Sequence, residues 1–558
     1  MKIFLISFSL VFFGLACQNK SKTVVDRIIY NAHIITMDDS MQEAEVMVVK
    51  DGKILAIGNK SLLEKYTCRR GNMQDLKGQY VYPGLIDAHC HFYGYAKTLL
   101  TCNLVGTKSW GDVLNRLDTF VKNNPGAWIQ GRGWDQNDWT IKEYPSNDSL
   151  NRRYPNTPVI LKRIDGHAAI CNNKALEIAG IIPEQNSSIK TLILPSIRQV
   201  EGGEIILKNG MATGVLIDNA VDLVQKFVLE PSLDELVKVL QKAEKECYAF
   251  GLTTLADAGL DISDCKFLDS ISQKKLISIY LYLMVNPNEA GLKYAQENGI
   301  SENNNTYIGS FKLYADGSLG SRGAKMKRDY CDQRMHTGML MKSPKYYEDF
   351  CNTVYHKTQY QVNTHCIGDS ANKLILELYG KLLKPKEDRR WRIEHAQILD
   401  PSDFHLFGKY GIIPSVQPTH ASSDAPWVKD RICEDRMPGA YAYKTLLNQN
   451  GYLPLGTDFP VEYINPIFTF YSAVFRQNAN MPEQEAFLPN ESLSHLEALK
   501  GMTIWAAKAC KLEHRKGSLA LGKDADFVVM DKNLLSIKKD ELLKTKIIST
   551  YRAGIKVY

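Results

Sequence analysis

Two histidines one residue apart, His89 and His91, close the run Pro83-Gly84-Leu85-Ile86-Asp87-Ala88-His89-Cys90-His91. If this run is a buried strand, alternate side chains share a face. Both imidazoles then point the same way, with Asp87 behind them. Two imidazoles offered from one strand end are half of a metal site. Alone, the pair would equally suit a turn with two half-exposed histidines, so partners elsewhere must decide. Lys312 lies in Phe311-Lys312-Leu313-Tyr314-Ala315-Asp316-Gly317, and His365 in Thr364-His365-Cys366-Ile367-Gly368-Asp369. His395 lies in Arg392-Ile393-Glu394-His395-Ala396, and Asp458 in Gly456-Thr457-Asp458-Phe459-Pro460. Such ligand-type residues at the ends of short apolar runs point to metal-assisted chemistry.

The elements that must position them alternate strand with helix, the pattern of a parallel sheet. After the His-x-His strand, candidate strands are Thr253 to Ala256, Ile277 to Val285, Ile308 to Ala315, Gln361 to His365, Arg392 to His395, Ile412 to Val416 and Leu453 to Thr457. Helical spacing of apolar residues runs from Leu233 to Phe250. Eight strand–helix units predict an α/β fold of the TIM (β/α)8 barrel type, whose chemistry sits at the C-terminal strand ends. The barrel is expected over residues 83–510, and residues 95–218 are too long for a plain connection. They read as an inserted cap segment. Short alternating strands with Gly punctuation occupy residues 24–82 and recur over 511–558. They predict one small β-sandwich domain built from both chain ends and flanking the barrel.

A chain of 558 residues and 63.0 kDa can bury a large core. A net charge of +6 and no basic run interleaved with aromatics argue against a nucleic-acid partner. Residues 1–17 read as an export signal. Met1-Lys2 precedes the apolar run Ile3 to Phe13, too short to span a bilayer, and then Gly14-Leu15-Ala16-Cys17. This end resembles a bacterial lipobox, with Gly14 where a leucine is usual. Lipidation of Cys17 would hold the protein on a membrane surface without a spanning helix, as a periplasmic or outer-membrane lipoprotein. Simple secretion is the alternative. Without Cys17 the 12 cysteines leave an odd number and no Cys-x-x-Cys pair, so they do not look like a disulfide framework. Most are expected in the core.

Taken together, these residues resemble the metal-dependent amidohydrolase superfamily, and within it amidohydrolase family 3, which includes YtcJ-like proteins and N-substituted formamide deformylases. The resemblance rests on Pro83 to His89, Gly522 to Asp526, Lys312 to Arg322, Asp165-Gly166-His167-Ala168, His365 to Asp369 and Val416-Gln417-Pro418-Thr419-His420. It implies that His89 and His91 hold one divalent cation and His365 and His395 another. It also implies that Lys312, carboxylated by carbon dioxide, bridges the two. Zinc is the first candidate; manganese or iron would suit the same donors. A metal-bound hydroxide would attack a carbonyl carbon, and Asp458, itself a ligand, would pass the proton to the leaving nitrogen. Without the resemblance, Lys312 could be a core lysine paired with Asp316, and Asp458 a helix N-cap.

The expected activity is therefore hydrolysis of a non-peptide carbon–nitrogen bond, of amide or formamide type, in a small molecule. Alternatives are deamination of a heterocycle, ester hydrolysis on the same barrel, or a surface binding protein without turnover. Deaminases on this barrel add a glutamate near the strand-five histidine, where this chain has Gly368 and Asp369. Candidate substrate contacts are Trp134, with Asp135 beside it, Asp165, His167, Arg322, Gln417 and His420; each could instead be structural. Glu394 alternates with Ile393 and is expected to face the helices in an ion pair. His33, His356, His405, His495 and His514 lack such a setting and read as ordinary residues.

Overall fold

The computed structural model describes residues 22–124, 126–163, 168–182, 200, 203–228, 231–384 and 387–558. At its centre is a ring of parallel strands. In chain order they are β1 (Leu85–Cys90), β2 (Leu252–Leu260), β3 (Tyr280–Val285), β4 (Thr306–Tyr314), β5 (Gln361–Cys366), β6 (Arg392–His395) and β7 (Ile413–Ser415). Each pairs with the next in parallel. The eighth member, 453–457, is an extended segment hydrogen-bonded on both sides. Gly456 N donates to Val416 O (3.0 Å), and Ala88 N donates to Leu455 O (3.1 Å). The ring therefore closes as a (β/α)8 barrel. Its strands are nearly continuous apolar runs because helices or the barrel interior cover both faces.

The helix before β2, Leu233–Ala249, shows how the surrounding layer forms. Ser232 and Glu235 make a capping box that satisfies backbone donors of the first turn. Leu236, Val239, Leu240, Ala243 and Cys247 recur on one stripe and are buried. Burying a leucine such as Leu240 is worth about 1.5–3 kcal/mol.

Two sheets flank the barrel. One is ordered Lys53–Gly58, Val46–Lys50, Arg27–Tyr30, Met73–Asp75; the other Ile555–Lys556, Ile547–Arg552, Phe527–Met530, Tyr80–Pro83, His33–Asp38, Met41–Ala44. Ile29, Met47, Val49, Val81, Phe527 and Val529 form their shared core. Tyr80–Pro83 pairs antiparallel with Phe527–Met530, so the two chain ends are stitched together just before β1 begins. Gly84 makes that junction. A Cβ there would lie 2.3 Å from Thr253 Oγ1, so no side chain fits.

The insertion has secondary structure of its own. It contains a six-stranded mixed sheet, ordered Cys102–Asn103, Ile129–Trp134, Val159–Arg163, Ala168–Cys171, Met211–Asp218, Gly203–Lys208. Val159, Leu161 and Ile170 pack on one face with the helix Trp110–Asn123; Ile160, Ala169 and Cys171 pack on the other with Leu176 and Val224. This period of two gives the insertion a core on each side of its sheet. Among the described residues no helix is long and apolar enough to cross a membrane.

Among the described residues there is one disulfide, Cys331–Cys433, a single bridge rather than a framework. Its halves are 102 residues apart, on the loops after β4 and β7, and meet only in the folded chain. Of the described free cysteines all but Cys68 are buried, as expected.

Candidate metal centre

The six ligand-type residues converge at one mouth of the barrel. His89 lies on β1, and Asp87, two residues back on the same face, fixes its backbone. The Asp87 carboxylate accepts from His89 N (3.1 Å), Thr457 N (3.0 Å) and Thr457 Oγ1 (2.7 Å), which ties β1 to the eighth segment. Burial outweighs those bonds and pushes the Asp87 carboxyl up to about 7. His89 Nδ1 donates to Glu394 Oε2 at 2.6 Å, leaving Nε2 with a free lone pair. That Nε2 lies 2.8 Å from Lys312 Nζ. His91 Nδ1 donates to Ala258 O at 2.9 Å, so its Nε2 also presents a lone pair. It faces Asp458 Oδ1 at 3.0 Å.

His365 and His395 complete the cluster, their ring centroids 4.6 Å apart and His395 4.9 Å from His89. On a regular strand His395 would point away from the inward side of β6. It reaches the site because its backbone turns left-handed, with φ 75°, just as Asp458 does with φ 63°. Such conformations cost non-glycine residues of order 1–3 kcal/mol and gather at functional sites.

Glu394 corrects an expectation. It faces into the barrel beside Arg392 (3.5 Å), not the helices, because Arg392 and Glu394 form the inward set of β6. Burial would raise the Glu394 carboxyl, yet His89, Arg392 and Lys312 hold it down at about 2. Nor does Lys312 pair with Asp316. The Asp316 carboxylate is taken by the backbone N–H groups of Ile367 (3.0 Å), Gly368 (2.8 Å) and Lys325 (2.8 Å).

The donor set fits divalent cations. Nε2 of His365, Nδ1 of His395 and Oδ1 of Asp458 are buried without a hydrogen-bond partner. An unpaired buried polar atom is costly, and bound cations would satisfy such atoms. Burial, helped by the Lys312 charge, lowers His365 to about 3, and burial likewise lowers His89, His395 and Lys312. Neutral imidazoles are the form that binds metal. Among the described residues, two triads bring donor atoms within 4.8 Å of one another: His89, His91 and Asp458; and His395, His420 and Asp458.

His420 is thus nearer the chemistry than its sequence setting suggested. Its Nε2 lies 3.0 Å from Asp458 Oδ2, and its Nδ1 3.4 Å from Glu462 Oε1. Burial opposes its charge, but the two carboxylates hold it protonated, at about 10. Gln417 is buried beside it, its Oε1 unpartnered. Arg322 makes a bidentate pair with Asp332 (3.0 and 2.8 Å), which Arg431 shares, and this braces the loop after β4. Trp134 is not brought to the cluster. It is fully buried in the insertion core, its indole donating to Leu161 O at 2.8 Å. Asp135 pairs with Arg163 at 2.5 Å. Asp165, His167 and Cys17 lie outside the described residues.

Comparison with known proteins identifies the family. A family model described as the amidohydrolase family matches residues 72–558. The chain is 34% identical over 556 residues to protein LONG AFTER FAR-RED 3 of Arabidopsis thaliana, covering 96% of this chain and 92% of that one. It is 30% identical to the putative amidohydrolase YtcJ of Bacillus subtilis (strain 168), covering 95% and 98%. In fold it is similar to the crystal structure of an uncharacterized metal-dependent hydrolase from Pyrococcus horikoshii OT3, with TM-score 0.74 and 23% identity over 92% of this chain and 99% of that one.

Proposed function

Because this chain belongs to the amidohydrolase family, we propose that it is a metal-dependent hydrolase of a small molecule, cleaving a non-peptide carbon–nitrogen bond of amide or formamide type. One observation carries the reading: His365 Nε2, His395 Nδ1 and Asp458 Oδ1 are buried at the barrel mouth without a hydrogen-bond partner, and His91 Nε2 faces Asp458 Oδ1 at 3.0 Å. His89 and His91 would hold one cation and His365 and His395 another, with Asp458 beside the first. Bound cations would supply Lewis acidity and activation of water.

The chain's own residues do the rest. Glu394 and the Ala258 carbonyl fix the tautomers of His89 and His91, so that each offers Nε2. Burial lowers Lys312 below the usual lysine value, which favours the neutral amine, and a neutral amine can take up carbon dioxide as a carbamate, giving two further oxygens. Asp458 accepts a proton from water and delivers it to the leaving nitrogen. His420, charged and hydrogen-bonded to Oδ2, turns the Asp458 carboxylate so that Oδ1 points into the cluster.

Metal analysis of the purified protein, followed by assay against N-acyl and N-formyl compounds with esters as controls, tests the proposal. The expected result is two divalent cations per chain and turnover of amides that chelation abolishes. Ester-only turnover, or none with metal bound, would refute it.

We further propose export and lipid anchorage at Cys17. The Cys331–Cys433 disulfide supports an oxidising compartment. Labelling with a radioactive fatty acid, lost in Cys17→Ser, is the check.

A further inference from the structure

Two residues beyond Lys312 on the inward side of β4 stands Tyr314. A strand rises about 3.3 Å per residue, so Tyr314 lies roughly 6.6 Å farther out, towards the mouth. Its ring centroid is 5.1 Å from Lys312 Nζ and 5.9 Å from the His365 ring. Whereas Lys312, His89, His395 and Asp458 are buried, Tyr314 is 36% exposed, the outermost side chain of this group on β4.

Its placement is fixed, but its hydroxyl is idle. The main-chain carbonyl of Tyr314 accepts from Tyr347 Oη at 2.9 Å, which holds the backbone. The phenol leans over Gly259 of β2, where a Cβ would come within 2.3 Å of the Tyr314 oxygen. Gly259 also has φ 79°, so both space and backbone favour glycine there. Among the described residues that hydroxyl has no hydrogen-bond partner, whereas Tyr282, Tyr347 and Tyr443 around the barrel all donate. A rigid phenol beside the donor cluster, about a third open to solvent and unpaired among the described residues, is a hydrogen-bond donor awaiting an acceptor.

We propose that Tyr314 donates its O–H to the carbonyl oxygen of the bound substrate, and to the carboxylate of the acid product, so selecting a carbonyl compound. This rests on the hydrolase reading above and names the contact that positions the scissile group. A donor aimed at a developing oxyanion is worth about 10²–10³ in kcat.

The test compares the metal-loaded protein with its Tyr314→Phe variant, which keeps the ring over Gly259 and loses only the hydroxyl. Formate and acetate, as product carboxylates, are titrated calorimetrically. Wild type is expected to bind and the variant to bind about 10-fold more weakly, with metal content and melting temperature unchanged. On any amide that is turned over, the variant should lose about 10²-fold in kcat. Equal carboxylate affinity in the two proteins, no binding by wild type, or loss of metal in the variant would each overturn the assignment. Hydroxyl-dependent carboxylate binding without amide turnover would keep Tyr314 and sink the hydrolase reading instead.

Discussion

Glu394 Oε2 and His89 Nδ1 are 2.6 Å apart, and neither side chain reaches solvent. The contact spans 305 residues of sequence and joins β6 to β1 across the inside of the barrel. It fixes which nitrogen of His89 faces the cluster. Replacing a carboxylate behind a metal-ligating histidine costs about 10–100-fold in metal affinity. Glu394→Gln is expected to lose cations at correspondingly lower chelator concentrations, as measured by competition with a metallochromic dye. Unchanged affinity would remove Glu394 from the site.

Asp458→Asn keeps the size of the side chain and removes its capacity to take a proton. Turnover should fall by at least 10², while metal stays bound through the histidines. Full activity in this variant, measured at equal metal content, would refute the proton-carrying role.

At the foot of the barrel Lys516 pairs with Asp526 (2.6 Å) and Asp524 (3.2 Å), and Arg552 with Asp526 (2.8 Å), all buried against Tyr280 of β3. Burial would raise both aspartates, but these cations hold them below the usual carboxylate range. The stability they add is complete above about pH 4, the unfolded carboxylate value, and is lost as pH falls through the depressed native values. Breaking a buried pair costs about 3–5 kcal/mol. Asp526→Asn should therefore lower the melting temperature by several degrees at pH 7, with a smaller gap at pH 3. A gap independent of pH would show that packing, not charge, carries the effect.

The Cys331–Cys433 bridge closes a long loop across two segments at the barrel mouth. Its removal should cost about 2–4 kcal/mol. Cys331→Ser/Cys433→Ser is expected to melt at the same lower temperature as the reduced wild type, and to be indifferent to reductant. A reductant-sensitive double variant would point to some other thiol.

The eight barrel strands were legible because parallel strands buried on both faces must be short apolar runs, and their ends carried the ligand-type residues. What lay beyond strand periodicity was not. Glu394 was assigned to the wrong side because strand alternation was followed through His395, whose left-handed backbone breaks it. The length of the insertion marked it as more than a connection, but its sheet was not legible, because its strands alternate between two separate cores, and glycine and asparagine obscure the period. His420 meets Asp458 from 38 residues away on another segment, a distance that no local pattern encodes. The disulfide was invisible for the same reason.

The pairing of Tyr80–Pro83 with Phe527–Met530 has a consequence for biogenesis. A ribosome makes the first of these strands more than four hundred residues before its neighbour. Until that later strand is made, the sheet that introduces the barrel stands with an open edge, a template for unwanted association. Completion of the hydrolase thus waits on a strand made far later, so nascent polypeptide lacking Phe527–Met530 should depend on chaperones.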